Sequence, residues 1–507
     1  MNVVPQKFNN FFVNIGPELA SKIPDGDDDH QFIKSNPNSM FLRAVDEVEI
    51  VNIVRNCKNK TSTDCDGVDM MVVKKVINEI SKPLAHIFNL SFQTGTFPSK
   101  MKIAKVVPLY KTGNKHHFTN YRPVSVLPQF AQILEKLFND RLDSFINKHH
   151  ILSECQYGFR PQRSTSLALI DTIEEITKSL DNKKIAIGIF IDLKKAFDTL
   201  NHKILLHKLE LYGIRGVALQ WVESYLTNGH QFVRLAENCS SFRCILCGVP
   251  QGSVLGPKFF ILYINNICNV SKLMKLVLFA DDTNIFLSDT NLQKLLNNVA
   301  TEFGKLKSWF NKNKLSLNLS KTTLMIFGNK KINAETDILI DDITIERVKE
   351  TKFLGVIIDE KLSRKAHIKH VQSKLARSIG VLAKARHVLD ITSLKLLYHS
   401  LVSPYLSYCA EVWGNNYKTA IQPIITLQKR AIRIVHKVAF RDHTNSLFFH
   451  SKLLKFIDIV EYLTVQLMYR ASNNQLPVQY RVSVSVSTED EVLVLGIGLK
   501  KSGMEHP

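Results

Sequence analysis

Leu276-Val-Leu-Phe-Ala-Asp-Asp-Thr-Asn-Ile-Phe-Leu287 decides the fold. Two short apolar runs, Leu276–Phe279 and Asn284–Leu287, flank a tight acidic turn, which predicts a β-hairpin carrying Asp281 and Asp282 at its tip. Neighbouring side chains on a strand point to opposite faces, but a tight turn can bring one or both carboxylates toward one cleft. Upstream, Lys184-Ile-Ala-Ile-Gly-Ile-Phe-Ile191 is apolar almost without interruption and reads as a buried strand. It runs into Phe190-Ile-Asp-Leu-Lys-Lys-Ala-Phe-Asp198, so Asp192 stands at a sheet edge that can face a cleft. Close carboxylates repel one another unless cations lie between them. All-oxygen ligation suits Mg2+ or Mn2+, which keep positions free for phosphate oxygens. Two such ions about 3.5–4 Å apart would activate an attacking hydroxyl and stabilise the leaving oxygen of a phosphoryl transfer. By itself an Asp pair in a turn is an ordinary turn element, because Asp favours turns. Its companions make it specific.

The rest of the chain has the composition of a globular protein. Its 507 residues are 45% hydrophobic and 22% charged, which suits two or three domains with their own cores. No run nears the roughly 18–20 apolar residues of a membrane span. The start lacks the charged-then-apolar pattern of a secretory leader, and eight scattered cysteines make no disulfide framework. An intracellular protein of the nucleus or cytoplasm, with no membrane partner, is expected. The 66 Lys and Arg outnumber the 46 Asp and Glu, and the net charge of +20 points to a polyanionic partner. More than half of that surplus is local. From Ser363 to Lys437 there are thirteen Lys or Arg and two acids, Asp390 and Glu411.

Residues 1–95 read as short helices and loops, with a polar break at Asp25-Gly-Asp-Asp-Asp29 and a turn at Asp64-Cys-Asp-Gly67. From 96 to 349 short strands mix with helices, and Ser164 is the expected cap of a helix marked by Leu167, Ile170, Ile173 and Ile176. Residues 350–475 turn to a helical period. Ile368, Val371, Leu375, Ile379 and Leu382 make one apolar seam, and Ile421, Ile424, Ile425, Ala431, Ile432 and Val435 another, each with a basic outer face. Residues 476–507, with Val482-Ser-Val-Ser-Val486 and Leu493-Val-Leu-Gly-Ile-Gly-Leu499, fit nothing before them.

Taken in order, these boxes form a family signature. Phe279-Ala-Asp-Asp282 resembles the central acidic box of reverse transcriptases, and Phe190–Asp198 resembles their first. Gly248-Val-Pro-Gln-Gly-Ser-Val-Leu-Gly-Pro257 lies between the two, in the family's order. Lys105-Val-Val-Pro-Leu-Tyr-Lys111, Asn120-Tyr-Arg-Pro123, Gln156-Tyr-Gly-Phe-Arg160 and Phe353-Leu-Gly355 resemble non-LTR (LINE-type) retrotransposons, jockey-like elements in particular.

The resemblance implies an α+β, right-hand polymerase: fingers and an antiparallel palm in 96–349, a basic helical thumb and C-terminal extension in 350–475. It implies an RNA-directed DNA polymerase with an RNA template, a DNA primer and dNTPs as partners, and two Mg2+ or Mn2+ ions as cofactors. Asp192 and Asp281 would be the principal metal ligands and Asp282 a third carboxylate. Lys321, in Leu317-Asn-Leu-Ser-Lys-Thr322, matches the lysine that protonates pyrophosphate. Phe197 matches an aromatic gate against a 2′-hydroxyl, and Asp198 reads as structural. Lys111, Arg160 and Arg163 fall where the family holds the triphosphate, a role that suits positive charge. Gln251 and Gly252 would contact nucleotide or template, glycine allowing a close approach, and Pro257 is a good helix start. Phe353, Leu354 and Gly355 resemble a hairpin that grips the primer. The basic helices would track duplex phosphates, giving salt-dependent and largely sequence-independent binding.

Some features depart from the family or carry no signal. The family's endonuclease precedes its polymerase, and the residues ahead of the boxes are too few for one, so independent target nicking is not expected. The tail after Pro477 departs from the usual ending. Cys244-Ile-Leu-Cys247 has no second pair at zinc spacing, and His436 and His443 lie in basic helical surroundings that need no metal. Without a Walker loop or Rossmann fingerprint, phosphates must be held by metals and basic side chains. Two other readings stay open: a catalytically weak element copy that still binds template and primer, and an intron maturase or RNA-dependent RNA polymerase. The intact acids and Phe197 favour the active reverse transcriptase.

Overall fold

The computed structural model describes residues 3–23, 33–328, 338–340, 343–477 and Tyr480. The polar break at 25–29 and the apolar runs after 481 lie outside them. Among the described residues the strands are β1 (Ile103–Tyr110), β2 (Tyr121–Val126), β3 (Ile185–Ile191), β4 (His230–Leu235), β5 (Asn238–Cys239), β6 (Arg243–Cys244), β7 (Lys275–Phe279), β8 (Asp282–Asp289), β9 (Thr323–Phe327), β10 (Ile338–Ile340), β11 (Ile343–Arg347), β12 (Glu350–Phe353) and β13 (Val356–Asp359). They form three sheets: β10-β11-β9-β3-β8-β7; β2-β1-β4-β5 with β6 beside β4; and the hairpin β12-β13.

The first sheet is antiparallel except where β11 runs parallel to β9. β3 carries no charge and lies inside the sheet, antiparallel to β8 on one edge and β9 on the other. Its pleat feeds two cores, because alternate side chains leave a strand on opposite faces. Ile187, Ile189 and Ile191 join one with the helices Gln129–Lys148, Leu255–Tyr263 and Leu292–Lys312. Ala186 and Phe190 join the other with the helix Thr165–Asp181 and the helices that follow residue 365. Ser164 caps Thr165–Asp181 by accepting from the Leu167 amide.

The second sheet is covered by the helix Val3–Ser21, whose Phe8 and Phe12 pack on Val106 and Val233. Asn9 on that helix donates to the Ser241 carbonyl and the Ser240 hydroxyl, and accepts from Gln231. Beyond β13, helices Lys365–Ala385, Ile391–Leu401, Lys418–Val435 and Phe456–Ser472 close round Trp413, which stacks on Phe456 at 5.2 Å. Ile368, Val371, Leu375, Ile379 and Leu382 are all buried there, while Lys369, Arg377 and Lys384 stay exposed.

Two expectations need correction. The stretch before residue 95 is not all short helices, since Met70–Thr94 is one helix of 25 residues, capped by Asp69 and stopped by Gly95 in the left-handed region. Its buried seam runs Met70, Val73, Ile77, Ser81, Leu84, Phe88 and Ser91, and the two serines disguise its length. Each serine is hydrogen-bonded, Ser91 receiving the Trp221 indole N–H at 2.9 Å. The cysteines, though no framework, include one bridge: Cys155 and Cys268 form a disulfide across 113 residues. No helix among the described residues is long and apolar enough to cross a membrane.

Candidate active site

The hairpin forms as the alternation predicts. β7 and β8 pair antiparallel with Phe279 opposite Asp282, which leaves Ala280 and Asp281 as a two-residue turn. Ala280 takes a left-handed φ of 54°. A non-glycine residue holds that conformation when its surroundings fix it, and here the segment 155–157 does so. It adds to the open edge of β7, the Leu278 amide donating to Cys155 and the Tyr157 amide to Leu278, both at 2.8 Å. The Gln156 side-chain oxygen then accepts from the Ala280 amide at 3.1 Å and the Gly158 amide at 2.7 Å. Gly158 must lack a side chain, since a Cβ there would lie 2.3 Å from the Ala280 nitrogen.

β3 brings the third acid. It pairs with β8 through Ile191 opposite Thr283, and one further step along that register sets Asp192 beside Asp282. Acids 89 and 90 positions apart in the chain thus come to one end of the sheet. Asp192 is held by Asn318, which donates from its side chain at 2.6 Å and from its backbone amide to the Asp192 carbonyl at 2.8 Å. Lys321 Nζ stands 3.7 Å from the same carboxylate.

The three acids feel one another. The Asp281 carboxyl is raised above its ordinary range by burial and then by Asp192, against the pull of Arg122 and Lys111. Asp282 is raised to about 6 by loss of water, then by Asp281 and Asp192. Asp282 is nevertheless exposed at the hairpin turn. Opposite them lies a group of cations. Burial lowers the Lys195 ammonium below its ordinary value and the charges of Lys111, Arg122 and Lys321 lower it further, while Asp198 raises it. Among the described residues no three His, Cys, Asp or Glu side chains are grouped closely enough to hold a metal ion as they stand. The donor set is nevertheless all carboxylate, and its mutual repulsion is what a hard divalent cation relieves.

The loop Gly248–Gly252 lies against the segment 197–200. The Gly248 amide donates to Leu200 and the Val249 amide to Phe197, and the Ser125 amide donates to Gln251. Gly252 has φ 141°, and a Cβ there would fall 2.3 Å from the Ser125 carbonyl oxygen. Its glycine is therefore demanded by β2 itself. Gln251 donates its amide to Asp198 at 2.7 Å, so Asp198 orients that side chain. Phe197 is half-buried with its ring 4.7 Å from that of Phe260. Behind the loop, the buried Glu135 accepts from the Val254 amide at 2.5 Å, the Leu255 amide at 3.4 Å and the Tyr225 hydroxyl at 3.0 Å. It caps the helix Leu255–Tyr263, which has no cap of its own, and burial pushes its carboxyl up to about 7.

Arg160 and Arg163 lie just after the segment 155–157 that holds Ala280. Both pair with Glu154, and they donate to the backbone carbonyls of Ser153 and Glu154. Arg163 also lies over the Tyr157 ring, its side chain 2% exposed. They brace the loop that holds Ala280. Phe353, Leu354 and Gly355 form the β12–β13 turn, with left-handed φ of 44° at Leu354 and 85° at Gly355. Phe353 is buried against Phe190, two residues before Asp192, and the Tyr408 hydroxyl donates to the Leu354 carbonyl at 2.7 Å. Reasoning from sequence missed Arg122, Lys195, Asn318, Gln156 and Glu135. The first four sit inside boxes already singled out, which was the available signal.

Comparison with known proteins agrees with the family resemblance. Residues 111–358 match the family described as reverse transcriptase (RNA-dependent DNA polymerase). The chain is 26% identical over 444 residues to the RNA-directed DNA polymerase from mobile element jockey of Drosophila melanogaster, covering 85% of this chain and 48% of that protein. Its counterpart from Drosophila funebris is 27% identical over 397 residues, 76% of this chain and 43% of that one. The Pol polyprotein of the type-1 retrotransposable element R1 from Bradysia coprophila is 26% identical over 386 residues, 74% of this chain and 38% of that one. The chain thus spans about half the length, or less, of the curated relatives it matches. Residues 111–358 are a reverse transcriptase domain, carried on a chain that resembles the jockey-type polymerases of non-LTR retrotransposons.

Proposed function

We propose that the chain is an RNA-directed DNA polymerase that extends a DNA primer along an RNA template with dNTPs. The observation that carries this is the register setting Asp192 beside Asp282, next to the turn that holds Asp281. In this reading the sheet around β3 is the palm, residues 96–184 contribute the fingers, and residues 350–475 are the thumb and its extension, with 1–95 ahead of them and 476–507 as the tail.

Asp192, Asp281 and Asp282 would hold two Mg2+ or Mn2+ ions. Bound there, such ions lower the barrier to attack by a hydroxyl on the α-phosphate and stabilise the leaving oxygen. The chain's own groups do the rest. Lys111, Arg122 and Lys195 supply positive charge for the triphosphate, with Arg160 and Arg163 beside the hairpin turn. Asn318 fixes the rotamer of Asp192. Lys321, exposed and within reach of that carboxylate, is the proton donor to pyrophosphate. Phe197, backed by Phe260, is the sugar gate, and Gln251 and Gly252 face the nascent base pair. The hairpin Phe353–Gly355 supports the primer, and the exposed basic faces of Lys365–Ala385 and Lys418–Val435 track duplex phosphates.

Primer extension on an RNA template tests this. Wild type is expected to extend with dNTPs and not rNTPs, and Asp281→Ala to lose extension while binding template-primer. Extension by Asp281→Ala at the wild-type rate would end the assignment. Phe197→Ala is expected to admit ribonucleotides.

A further inference from the structure

The corner where Lys418–Val435 turns into the last two helices leaves two phenylalanines in water. Phe440 is 75% exposed and Phe449 is 82% exposed, whereas the neighbouring Phe448 is buried in the core. Neither ring is on a loose segment. The Arg433 guanidinium lies 5.8 Å from the Phe440 ring centroid and its Nε donates to the Asp442 carbonyl at 2.8 Å. The Asp442 carboxylate in turn accepts from the Ala439 amide at 2.8 Å. Arg386 reaches across from its own helix to donate to the Lys437 carbonyl at 3.0 Å. His436 and Ser451 bond side chain to side chain at 2.5 Å, tying the start of the corner to the end of the helix Asn445–Ser451, which presents Phe449. The fold therefore fixes both rings outward.

The setting of the rings is cationic. Between Arg433 and Lys455 there are five Lys or Arg (Arg433, Lys437, Arg441, Lys452 and Lys455) against one acid, Asp442, which is already engaged. His450 packs edge-on to Phe449 at 6.0 Å, and His436 is held below its ordinary value by burial and then by His450 and Lys395. Exposed flat rings on a segment rich in cations match a single strand of nucleic acid, whose bases stack on the rings while the phosphates meet the charges. A protein partner fits less well, because lysine is depleted from protein–protein interfaces. A membrane surface would want a continuous apolar stripe, and Arg441 and Asp442 stand between these rings in the chain.

We propose that the corner Arg433–Lys455 is a binding surface for single-stranded nucleic acid, with Phe440 and Phe449 as stacking platforms. It uses none of the carboxylates and stands whether or not the chain polymerises. The test is fluorescence anisotropy with an unstructured RNA of about 15 nucleotides and no primer, comparing wild type with the double variant F440A/F449A. The variant is expected to bind about tenfold or more weakly, the scale of losing base–aromatic stacking. The variant carrying Phe440→Tyr and Phe449→Tyr keeps the rings and is expected to keep the affinity. Blunt duplex RNA of the same length should show no difference between wild type and F440A/F449A, because its bases are already stacked. Equal affinity of F440A/F449A and wild type for the single strand overturns the proposal. So does loss of binding to phosphatidylserine–phosphatidylcholine vesicles with RNA affinity unchanged, which would make the corner a membrane contact.

Discussion

The acid-bearing sheet and the helical lobe beyond residue 365 handle charge in opposite ways. Around β3 the chain draws carboxylates from distant segments to one edge and lets their charges act on one another. In the lobe the charge is positive and spread over outer faces, and what is drawn together is apolar: Ile368, Leu375, Ile379, Leu382 and Trp413 lie at or near zero exposure. The first arrangement stores electrostatic tension at a point, as reacting centres do. The second disperses attraction over a surface and takes its stability from an apolar seam.

The sharpest way to break this comparison is at the carboxylates. Asp281→Ala should reduce primer extension on the order of a thousandfold, the scale of removing a charge-stabilising group from a reacting centre. Its thermal midpoint should hold or rise, because a repelling charge has been deleted. A fall of several degrees would show the acids to be structural. Trp413→Ala should do the reverse, destabilising the fold by about 3–5 kcal/mol as other large-to-small core changes do. Calorimetry or denaturant titration reads it, and a stable variant would mean that the seam does not hold the lobe. Glu135→Ala leaves the buried Val254 and Leu255 amides unpaired and should lower stability by about 1–3 kcal/mol. Glu135→Gln can still accept from Val254 and should recover most of that loss; equal damage from both would deny the capping role.

Acidity separates the regions next. Asp282 is raised to about 6, so the folded protein holds that proton more tightly than the unfolded chain does. Free of cations, the site should gain stability as the pH falls through 6 toward the unfolded carboxylate value. Divalent affinity runs the other way, because the ligand must be ionised. Mn2+ titration should show affinity falling about tenfold per pH unit below 6 if one proton is displaced, and Asp282→Asn should flatten the curve. The smallest effect belongs to the outer face of the lobe. Lys369→Ala with Arg377→Ala should weaken template-primer binding only a few-fold and reduce its salt slope by about one per lost phosphate contact. A change in extension rate at saturating template would contradict a purely binding role.

What the sequence could disclose follows the same division. The hairpin was legible because its evidence is local: two apolar runs and a turn made of acids. The seams of the lobe were legible because a helical period survives in a single segment. Met70–Thr94 was not legible at its true length, since Ser81 and Ser91 interrupt an apolar pattern whose continuity depends on partners elsewhere. Arg122 and Asn318 acquire their roles only when the start of β2 meets Lys195 and the 318–322 turn meets Asp192. Arg160 and Arg163 show the converse. Their place in the order of boxes fits a phosphate role, yet Glu154, a few residues away, captures both guanidinium groups. Chain order fixes which residues are near a site, while side-chain competition decides which are available to it.

The ring contact between Phe353 and Phe190 ties the two regions mechanically. Phe190 belongs to the strand that ends at Asp192, and Phe353 roots the turn that Tyr408 clamps to the lobe. Any rocking of the lobe would either drag β3 with it or slide one ring across the other. The position of Asp192 is thereby geared to that of the helices beyond residue 365.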